Sequence, residues 1–407
     1  MRRYRSDLQG GKLLPPLAWR WLIGLLMVTI VLAPGWWVGA QDATSMSARS
    51  SVGPLSLSAY PRPPADNGLG VHWTTNIYGQ PPAIVDYFVA ELKAMNVKWV
   101  KFLNDGTEGR HNEHLIRELI SHDIMPIMRI YFPCNKPLDL GSLRRLVQHY
   151  RPLGLYYYEL FNEPELPGSA GGWCDGEEPD PERLADLWIA AARVIEEEGG
   201  FPGIPSMFPP SLKDPDWRDS FFMRFLRRIQ DTGNTPVRYR AWGAIHNYFL
   251  NHPLRYPYDD ANLNGTPLTM EEITRYGLTE AEVQAINHAR AIARRPRAEG
   301  GYYVGDTIDV DSACFLQFLA YHDRFYELFG FEIPLISTEG GATVGSSEDP
   351  RYPRVTPTIQ ASLTIQALDY MLDEAPPYYF AFNNWLLAER AMDNFNPTWE
   401  SWAWYQD

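Results

Sequence analysis

Short apolar runs alternate along this chain with longer segments that have one apolar face. The runs are rich in aromatic and branched side chains and end in turn residues, a pattern typical of buried strands. They cover residues 69–73, 97–103, 124–131, 156–161, 203–208, 239–246, 331–337 and 378–385. Helical periodicity is found between them over residues 82–95, 111–122, 141–151, 181–198, 216–231, 311–328 and 357–373.

Eight strands that alternate with helices predict parallel β-α units closed into a (β/α)8 TIM barrel, which is an α/β fold. A doubly wound open sheet competes with it, but no glycine-rich phosphate loop follows the first strand. Only residues 397–406 remain for an eighth helix. Residues 249–308, after the sixth strand, form a long insert with a helical segment over 279–294. This insert is either a lid or wall of a cleft, or a decoration at the barrel edge.

Side chains that act on a substrate lie at the carboxyl ends of the strands in such a barrel. Polar and aromatic residues are concentrated there, although a loop residue or a helix cap explains any single one equally well. Asp105 and Asn384 are two of them. We expect a substrate to be bound by His72, Trp73, Asn104, Tyr131, Asn162, His246, Tyr248 and Trp385.

Two of the strands each deliver one glutamate. The fourth is followed by Asn162-Glu163-Pro164, and the seventh by Thr338-Glu339-Gly340-Gly341. The proline favours an extended Glu163, and the two glycines leave room for a sugar ring. Two carboxylates on rigid strand ends suit retaining glycoside hydrolysis, in which one transfers a proton and the other attacks the sugar. We expect a charged Glu339, oriented by the Tyr248 hydroxyl, to keep Glu163 protonated as the acid.

These motifs resemble those of the retaining glycoside hydrolases of clan A, the cellulase-like and xylosidase-like barrels. Asn162-Glu163-Pro164 is similar to their acid/base motif, Glu339 to their nucleophile, His246-Asn247-Tyr248 to their sixth-strand motif and Trp385 to their sugar platform. The resemblance covers roughly residues 69–390. It implies cleavage of a neutral, β-linked oligo- or polysaccharide by double displacement, with Glu163 and Glu339 as the catalytic pair and no cofactor.

The family often has an arginine near the nucleophile, contributed by the second strand, and a histidine after the third. Here the corresponding regions contain Lys101, Asn104, Arg129 and Tyr131 instead. Arg129 is the candidate for the role of that arginine.

Composition agrees with an exported carbohydrate-active protein. The 14 Trp and 23 Tyr exceed what a core requires, and flat rings stack on sugars. Residues 1–40 contain basic, apolar and small residues in the order of a secretory signal, and the uncharged stretch 21–40 is also long enough for a membrane anchor. Residues 41–66 then form a flexible leader, and residues 67–407 a single barrel domain. The protein is therefore expected to be secreted or membrane-anchored, and to be a monomer.

The net charge argues against a nucleic-acid partner. It is -14 for the whole chain and -18 without residues 1–40, which hold five basic residues and one aspartate. An acidic surface repels phosphate backbones and is compatible with a neutral polysaccharide.

Three cysteines and two polar clusters remain. Cys134 and Cys174 are expected to form a disulfide between adjacent loops after export, whereas Cys314 falls in a helical segment as a buried thiol. His111 and His114 are spaced for a metal, but an exposed helix face is the simpler interpretation. Asp260, Asn262, Asn264 and Glu271 match the ligand spacing of a calcium loop or form an ordinary polar turn.

Two other functions remain open from the sequence. One is a catalytically inactive barrel that binds cell-wall or matrix glycans, which would retain the aromatic residues without needing both glutamates. The other is a membrane-tethered interaction protein, which would require residues 21–40 to remain uncut.

Overall fold

The structure, a computed structural model, describes residues 55–132, 137–166, 177–207, 219–233, 239–292, 307–309, 311, 313–392 and 396–406. Eight parallel strands form a closed barrel in chain order, and the last strand pairs with the first. They are β1 (Leu69–His72), β2 (Trp99–Asn104), β3 (Met125–Ile130), β4 (Tyr157–Leu160), β5 (Phe201–Ile204), β6 (Trp242–Tyr248), β7 (Leu335–Gly341) and β8 (Tyr379–Asn384). The predicted (β/α)8 TIM barrel is confirmed.

Helices connect the strands around the outside of the barrel. In the described part of the chain they are α1 (Pro82–Ala94), α2 (Glu113–Ser121), α3 (Leu140–Tyr150), α4 (Pro181–Glu197), α5 (Phe221–Asp231), α6 (Asp260–Asn264), α7 (Met270–Tyr276), α8 (Glu280–Ile292), α9 (Gln317–Phe329), α10 (Pro357–Asp373) and α11 (Pro397–Trp402). None of these helices combines the length and the apolar character needed to cross a bilayer. The weak eighth helix is present as the short α11.

Local sequence explains where the helices begin and which face they bury. Asp180 caps α4 by accepting from the Arg183 amide, and Pro181 stands at the first helical position, where its missing N–H costs nothing. Trp188 lies on the buried face of α4 and donates from its indole to the Gly203 carbonyl of β5 at 2.8 Å. Such contacts bury the apolar stripe of each helix against the barrel, which is the main source of helix stability.

The barrel interior is layered because side chains alternate along each strand. Trp99, Tyr157 and Trp242 lie in the same apolar cluster near the amino ends of β2, β4 and β6. Two residues further along, Lys101 on β2 and Glu159 on β4 occupy the next layer, and both are fully buried. An apolar floor therefore lies beneath a charged layer.

The segment before β1 differs from the predicted flexible leader. Tyr60 donates its hydroxyl to the Ala241 carbonyl at 2.9 Å, and Tyr157 donates to the Pro61 carbonyl at 2.7 Å. Leu55 and Leu57 pack on the same apolar floor. Residues 55–66 thus close the amino end of the barrel, because the aromatic floor would otherwise be exposed to water, whereas residues 41–54 lie outside the described residues.

The described part of the insert packs on the loop between β7 and α10. Arg351 in that loop donates to the Asn262 side-chain oxygen of α6 at 2.9 Å, and Arg290 of α8 donates to the Arg351 carbonyl at 2.9 Å. Asn251, just after β6, donates to the Asp349 carbonyl at 2.7 Å. The insert therefore braces the loop that follows Glu339, a role that the sequence did not indicate.

Two predictions about the cysteines have different outcomes. Helix α9 begins at Gln317 rather than at residue 311, so Cys314 precedes the helix instead of lying in it, although it is buried as expected. Cys134 and Cys174 lie outside the described residues, and their pairing stays a prediction.

Candidate active site

The two glutamates of the predicted pair come from β4 and β7 and lie at the same end of the barrel. Glu339 is the fifth residue of β7, inside the strand rather than beyond its end, and it is only 6% exposed. Glu163 follows β4 by three residues, and its side chain is 16% exposed. One carboxylate is therefore enclosed in the barrel and the other faces the opening.

A break in strand pairing places Glu339 opposite His246. Ile245 of β6 pairs with Ser337, but His246 pairs with Glu339, so Thr338 is an extra residue at a β-bulge. Because of the bulge, two consecutive side chains reach interior partners: Thr338 donates to Glu159, and Glu339 accepts from Lys101. Bulges commonly re-aim side chains next to active sites.

The backbone of Glu163 is not extended, and this corrects the expectation based on Pro164. Glu163 has a φ of 42°, in the left-handed region that residues with a side chain rarely adopt. Its N–H donates to the Ser206 carbonyl at 3.0 Å, and its carboxylate is bound by His246, so tertiary contacts hold this conformation. Strain of about 1–3 kcal/mol at such a residue is typical of functional sites.

Glu339 is surrounded by hydrogen-bond donors and positive charge. Its Oε1 lies 2.7 Å from Lys101 Nζ and 3.2 Å from Arg129 Nη1, and its Oε2 accepts from the Tyr248 hydroxyl at 3.0 Å. Burial alone would raise the pKa of Glu339, but the charges of His246, Lys101 and Arg129 outweigh it and hold that pKa well below its usual value. Glu339 is thus an ionised, fixed carboxylate.

Glu163 and Glu339 share one imidazole. His246 Nδ1 lies 2.7 Å from Glu163 Oε1, and His246 Nε2 lies 3.6 Å from Glu339 Oε1. Both carboxylates therefore contact the same ring, as two groups that act on one bound sugar would require.

The imidazole of His246 keeps a proton in contact with Glu163. Burial lowers the pKa of His246, but the negative charge of Glu339 and the hydrogen bond to Glu163 more than offset this, so the pKa is raised overall. His246 therefore keeps its proton at a pH where an isolated histidine would begin to lose it.

Three aromatic rings form one wall beside Glu339. The Trp385 ring lies 4.4 Å from the His72 ring and 6.4 Å from the Tyr248 ring, measured between centroids. The buried Trp385 Nε1 has no hydrogen-bond partner among the described residues. Burial raises the pKa of Tyr248 far above its ordinary value, so its hydroxyl remains a donor.

Arg129 holds Asn162 through the oxygen of its side-chain amide. Its side-chain oxygen accepts a hydrogen bond from Arg129 Nη1. The NH2 group of this buried side chain takes no part in that bond. Arg129 links Asn162 to Glu339, and this is the position proposed for it from the sequence.

The structure locates four more of the predicted substrate contacts, and their contact with a substrate stays a prediction. Trp73 is fully buried, and its indole donates to Gln80 at 2.8 Å. Asn104 is buried, and its amide donates to the Gly106 carbonyl. His72 is also fully buried, and its Nε2 lies 3.9 Å from Glu339 Oε1. Tyr131 is half-buried just after β3.

The structure locates the residues of both candidate metal clusters. The Asn262 side chain is fully buried and its oxygen accepts from the Arg351 guanidinium, which favours the polar turn over the calcium loop. His111 packs its ring 6.0 Å from Tyr78. His114 instead pairs with Asp86 at 2.6 Å, and Glu118 lies close to both on the protein surface.

Glu159 and Ser206 were missed from the sequence, and Lys101 was noted in the region of the family's arginine without being given a role. Lys101 and Glu159 are charged residues inside apolar runs that were correctly read as buried strands. A buried charge needs a partner, so each was a signal of a polar barrel interior. Ser206, two residues after β5, carried no comparable signal.

No family model matches the chain, and neither does any curated protein. Similar solved structures include clan A glycoside hydrolases. A GH128 subgroup II endo-β-1,3-glucanase from Pseudomonas viridiflava has 15% identity and a TM-score of 0.43, covering 79% of this chain and 87% of its own. A family 51 α-L-arabinofuranosidase from Bifidobacterium longum has 11% identity and a TM-score of 0.44, covering 81% and 68%. A D-allulose 3-epimerase from a Methylomonas species has 9% identity and a TM-score of 0.40, covering 86% and 94%. The likeness is one of barrel architecture.

Proposed function

We propose that this protein is a retaining glycoside hydrolase that cleaves a neutral, β-linked oligo- or polysaccharide. The observation that carries the proposal is the contrast between two carboxylates that contact one imidazole. Glu339 is held ionised by Lys101 and Arg129, whereas Glu163 is hydrogen-bonded to the His246 imidazole. Retaining glycosidases need one charged nucleophile and one proton donor at the same sugar.

The first step forms a covalent glycosyl-enzyme. Glu339 attacks the anomeric carbon while Glu163 gives its proton to the glycosidic oxygen, and the aglycone leaves as an alcohol. Tyr248 and Lys101 orient the attacking carboxylate. Asn162 binds the neighbouring sugar hydroxyl and Trp385 supports the ring face.

The second step restores the enzyme. Glu163, now ionised, removes a proton from a water molecule that attacks the same anomeric carbon, and the Glu339 ester bond breaks. The Nδ1 position of His246 steadies Glu163 in both states because an imidazole nitrogen can accept a proton or donate one. The product keeps the configuration of the substrate.

A panel of chromogenic glycosides and polysaccharides, with products followed by NMR, tests the proposal. We expect an initial product of retained configuration. Glu339→Gln and Glu163→Gln should each lower kcat/KM on an unactivated substrate by about 10²–10⁴-fold. Glu163→Gln should retain more activity when the leaving group is a good one that needs no protonation. Undiminished hydrolysis in both variants, or an inverted product, would refute the assignment, and binding without hydrolysis would favour an inactive glycan-binding barrel.

We also propose that the protein acts outside the cytoplasm. The support is the order of basic, apolar and small residues over 1–40, which lie outside the described residues. Amino-terminal sequencing of the exported form should find a new terminus near Gln41. An intact start together with membrane association would instead identify an anchor.

A further inference from the structure

A third buried carboxylate, Glu159, is linked through neighbouring side chains to both glutamates of the proposed pair. It sits on β4 and is 0% exposed. Its Oε1 accepts hydrogen bonds from the Ser206 hydroxyl at 3.2 Å and from the Thr338 hydroxyl at 3.0 Å. Its Oε2 lies 3.6 Å from Lys101 Nζ. The described reaction makes no use of this group.

The Ser206 hydroxyl determines which nitrogen of His246 carries a proton. Ser206 Oγ lies between Glu159 and His246 Nε2, from which it is 2.8 Å away. A carboxylate only accepts, so the single hydroxyl proton points to Glu159 and the Oγ lone pair faces Nε2. Nε2 must then be protonated. The other nitrogen, Nδ1, shares the next proton with Glu163 Oε1 at 2.7 Å.

Glu159 also places a negative charge beside Lys101, the residue that donates a hydrogen bond to Glu339. Lys101 is fully buried, and burial lowers its pKa, whereas Glu159 and Glu339 act in the opposite direction. Lys101 Nζ is 2.7 Å from Glu339 Oε1. Without the Glu159 charge, one of the two carboxylates that keep Lys101 in its ammonium form would be lost.

We propose that Glu159 is a positioning residue for both members of the catalytic pair, acting on Glu163 through Ser206 and His246 and on Glu339 through Lys101. This inference rests on the proposed function. The contacts form one continuous chain, in which each link is a hydrogen bond or an ion pair of 3.6 Å or less. The titratable and charged groups that face His246 are Glu163, Glu339, Tyr248, Lys101 and His72.

The test compares the pH profiles of kcat/KM for wild type, Glu159→Gln and Ser206→Ala. Glu159→Gln removes a negative charge near His246, and Ser206→Ala removes the hydroxyl that accepts from His246 Nε2. Either change lets the proton between His246 and Glu163 leave more easily. The alkaline limb should therefore move down by about one pH unit in both variants. KM should stay within about twofold, because none of these atoms faces the substrate.

Glu389→Gln is the matched control. Glu389 is also 0% exposed, and it binds the Thr74 hydroxyl at 3.0 Å in the loop after β1. A general effect of losing a buried carboxylate at this end of the barrel would act in this variant too. The maximum kcat/KM of Glu389→Gln is free to differ from that of wild type. The alkaline limb of its pH profile should coincide with that of wild type.

Nitrogen-15 NMR of the His246 ring gives a readout that is independent of turnover. In wild type, we expect a proton on Nε2, and in Ser206→Ala we expect it to shift to Nδ1.

A wild-type ring with a bare Nε2 would overturn the inference, as would two folded variants with unchanged alkaline limbs and unchanged ring shifts. If wild type hydrolyses no glycoside, the proposed function has failed, and the ring shifts alone decide whether Glu159 controls the His246 proton. If neither variant folds, the wild-type spectrum decides the same question.

Discussion

Replacing Lys101 by methionine removes the positive charge inside the barrel and shortens the unbranched side chain by one atom. In wild type, Lys101 Nζ lies 2.7 Å from Glu339 Oε1 and 3.6 Å from Glu159 Oε2, and all three side chains are almost completely buried. In the variant, two buried carboxylates would remain with less positive charge. Breaking a buried ion pair by removing one partner is strongly destabilising, because the other charge stays desolvated.

The size of the effect follows from the two distances. With an effective dielectric constant of about 20, the attractions of Lys101 to Glu339 and to Glu159 are roughly 6 and 5 kcal/mol. Most of this is offset, since the ammonium no longer has to be desolvated and a carboxylate can take up a proton. We expect the free energy of unfolding to fall by about 3–5 kcal/mol at neutral pH.

The loss should depend on pH with a defined sign. In wild type the pKa of Glu339 is depressed, so its contribution is present above the unfolded value of about 4.3 and is lost as pH falls. In Lys101→Met a carboxylate pKa should be raised instead. The protonated group is tolerated at low pH, and the destabilisation grows as pH rises through the folded pKa.

Urea unfolding followed by tryptophan fluorescence, at about pH 5 and about pH 7.5, measures both effects. Lys93→Met on the exposed side of α1 is the control and should change stability by less than about 0.5 kcal/mol. A loss below about 1 kcal/mol for Lys101→Met, equal at both pH values, would refute the reasoning that Lys101 is the counter-charge of the buried carboxylates.

Two further predictions concern neighbouring parts of the site. Tyr248→Phe removes the hydroxyl that donates to Glu339 at 3.0 Å, and we expect steady-state kinetics to show kcat/KM reduced by about 10–100-fold with Tm nearly unchanged. Asp349→Asn should destabilise the loop after β7 by about 2–4 kcal/mol at pH 7. Burial raises the pKa of Asp349, but His252 and Arg351 outweigh it and hold the pKa below normal, so the wild-type advantage in urea unfolding should shrink as pH falls below about 4.

The sequence was sufficient to predict elements and their order, because these depend on local periodicity. Helix α10 spans the predicted residues 357–373, and every predicted strand occurs in the closed barrel. The predicted ends of the strands were less accurate, since β6 begins at Trp242 rather than at residue 239. Apolar period alone does not mark where a strand starts, since residues in an adjoining loop can be equally buried.

The site was only partly predictable, because contacts across the barrel depend on register. The bulge at Thr338 decides that Glu339 faces His246, and nothing in a local window shows it. The φ of Glu163 likewise contradicts the local preference before a proline, since Ser206 and His246 bind this residue from other strands. Local rules fail where tertiary contacts impose a strained conformation, and such places are often functional.

The closed amino end of the barrel has a consequence for how the protein can be presented to a substrate. Residues 55–66 cross the floor, on the side of the barrel away from Glu163 and Glu339. Strand direction puts the opening at the opposite pole. A label or a bead coupled to a side chain within residues 55–66 would therefore lie behind the barrel and leave its opening accessible to a polymer.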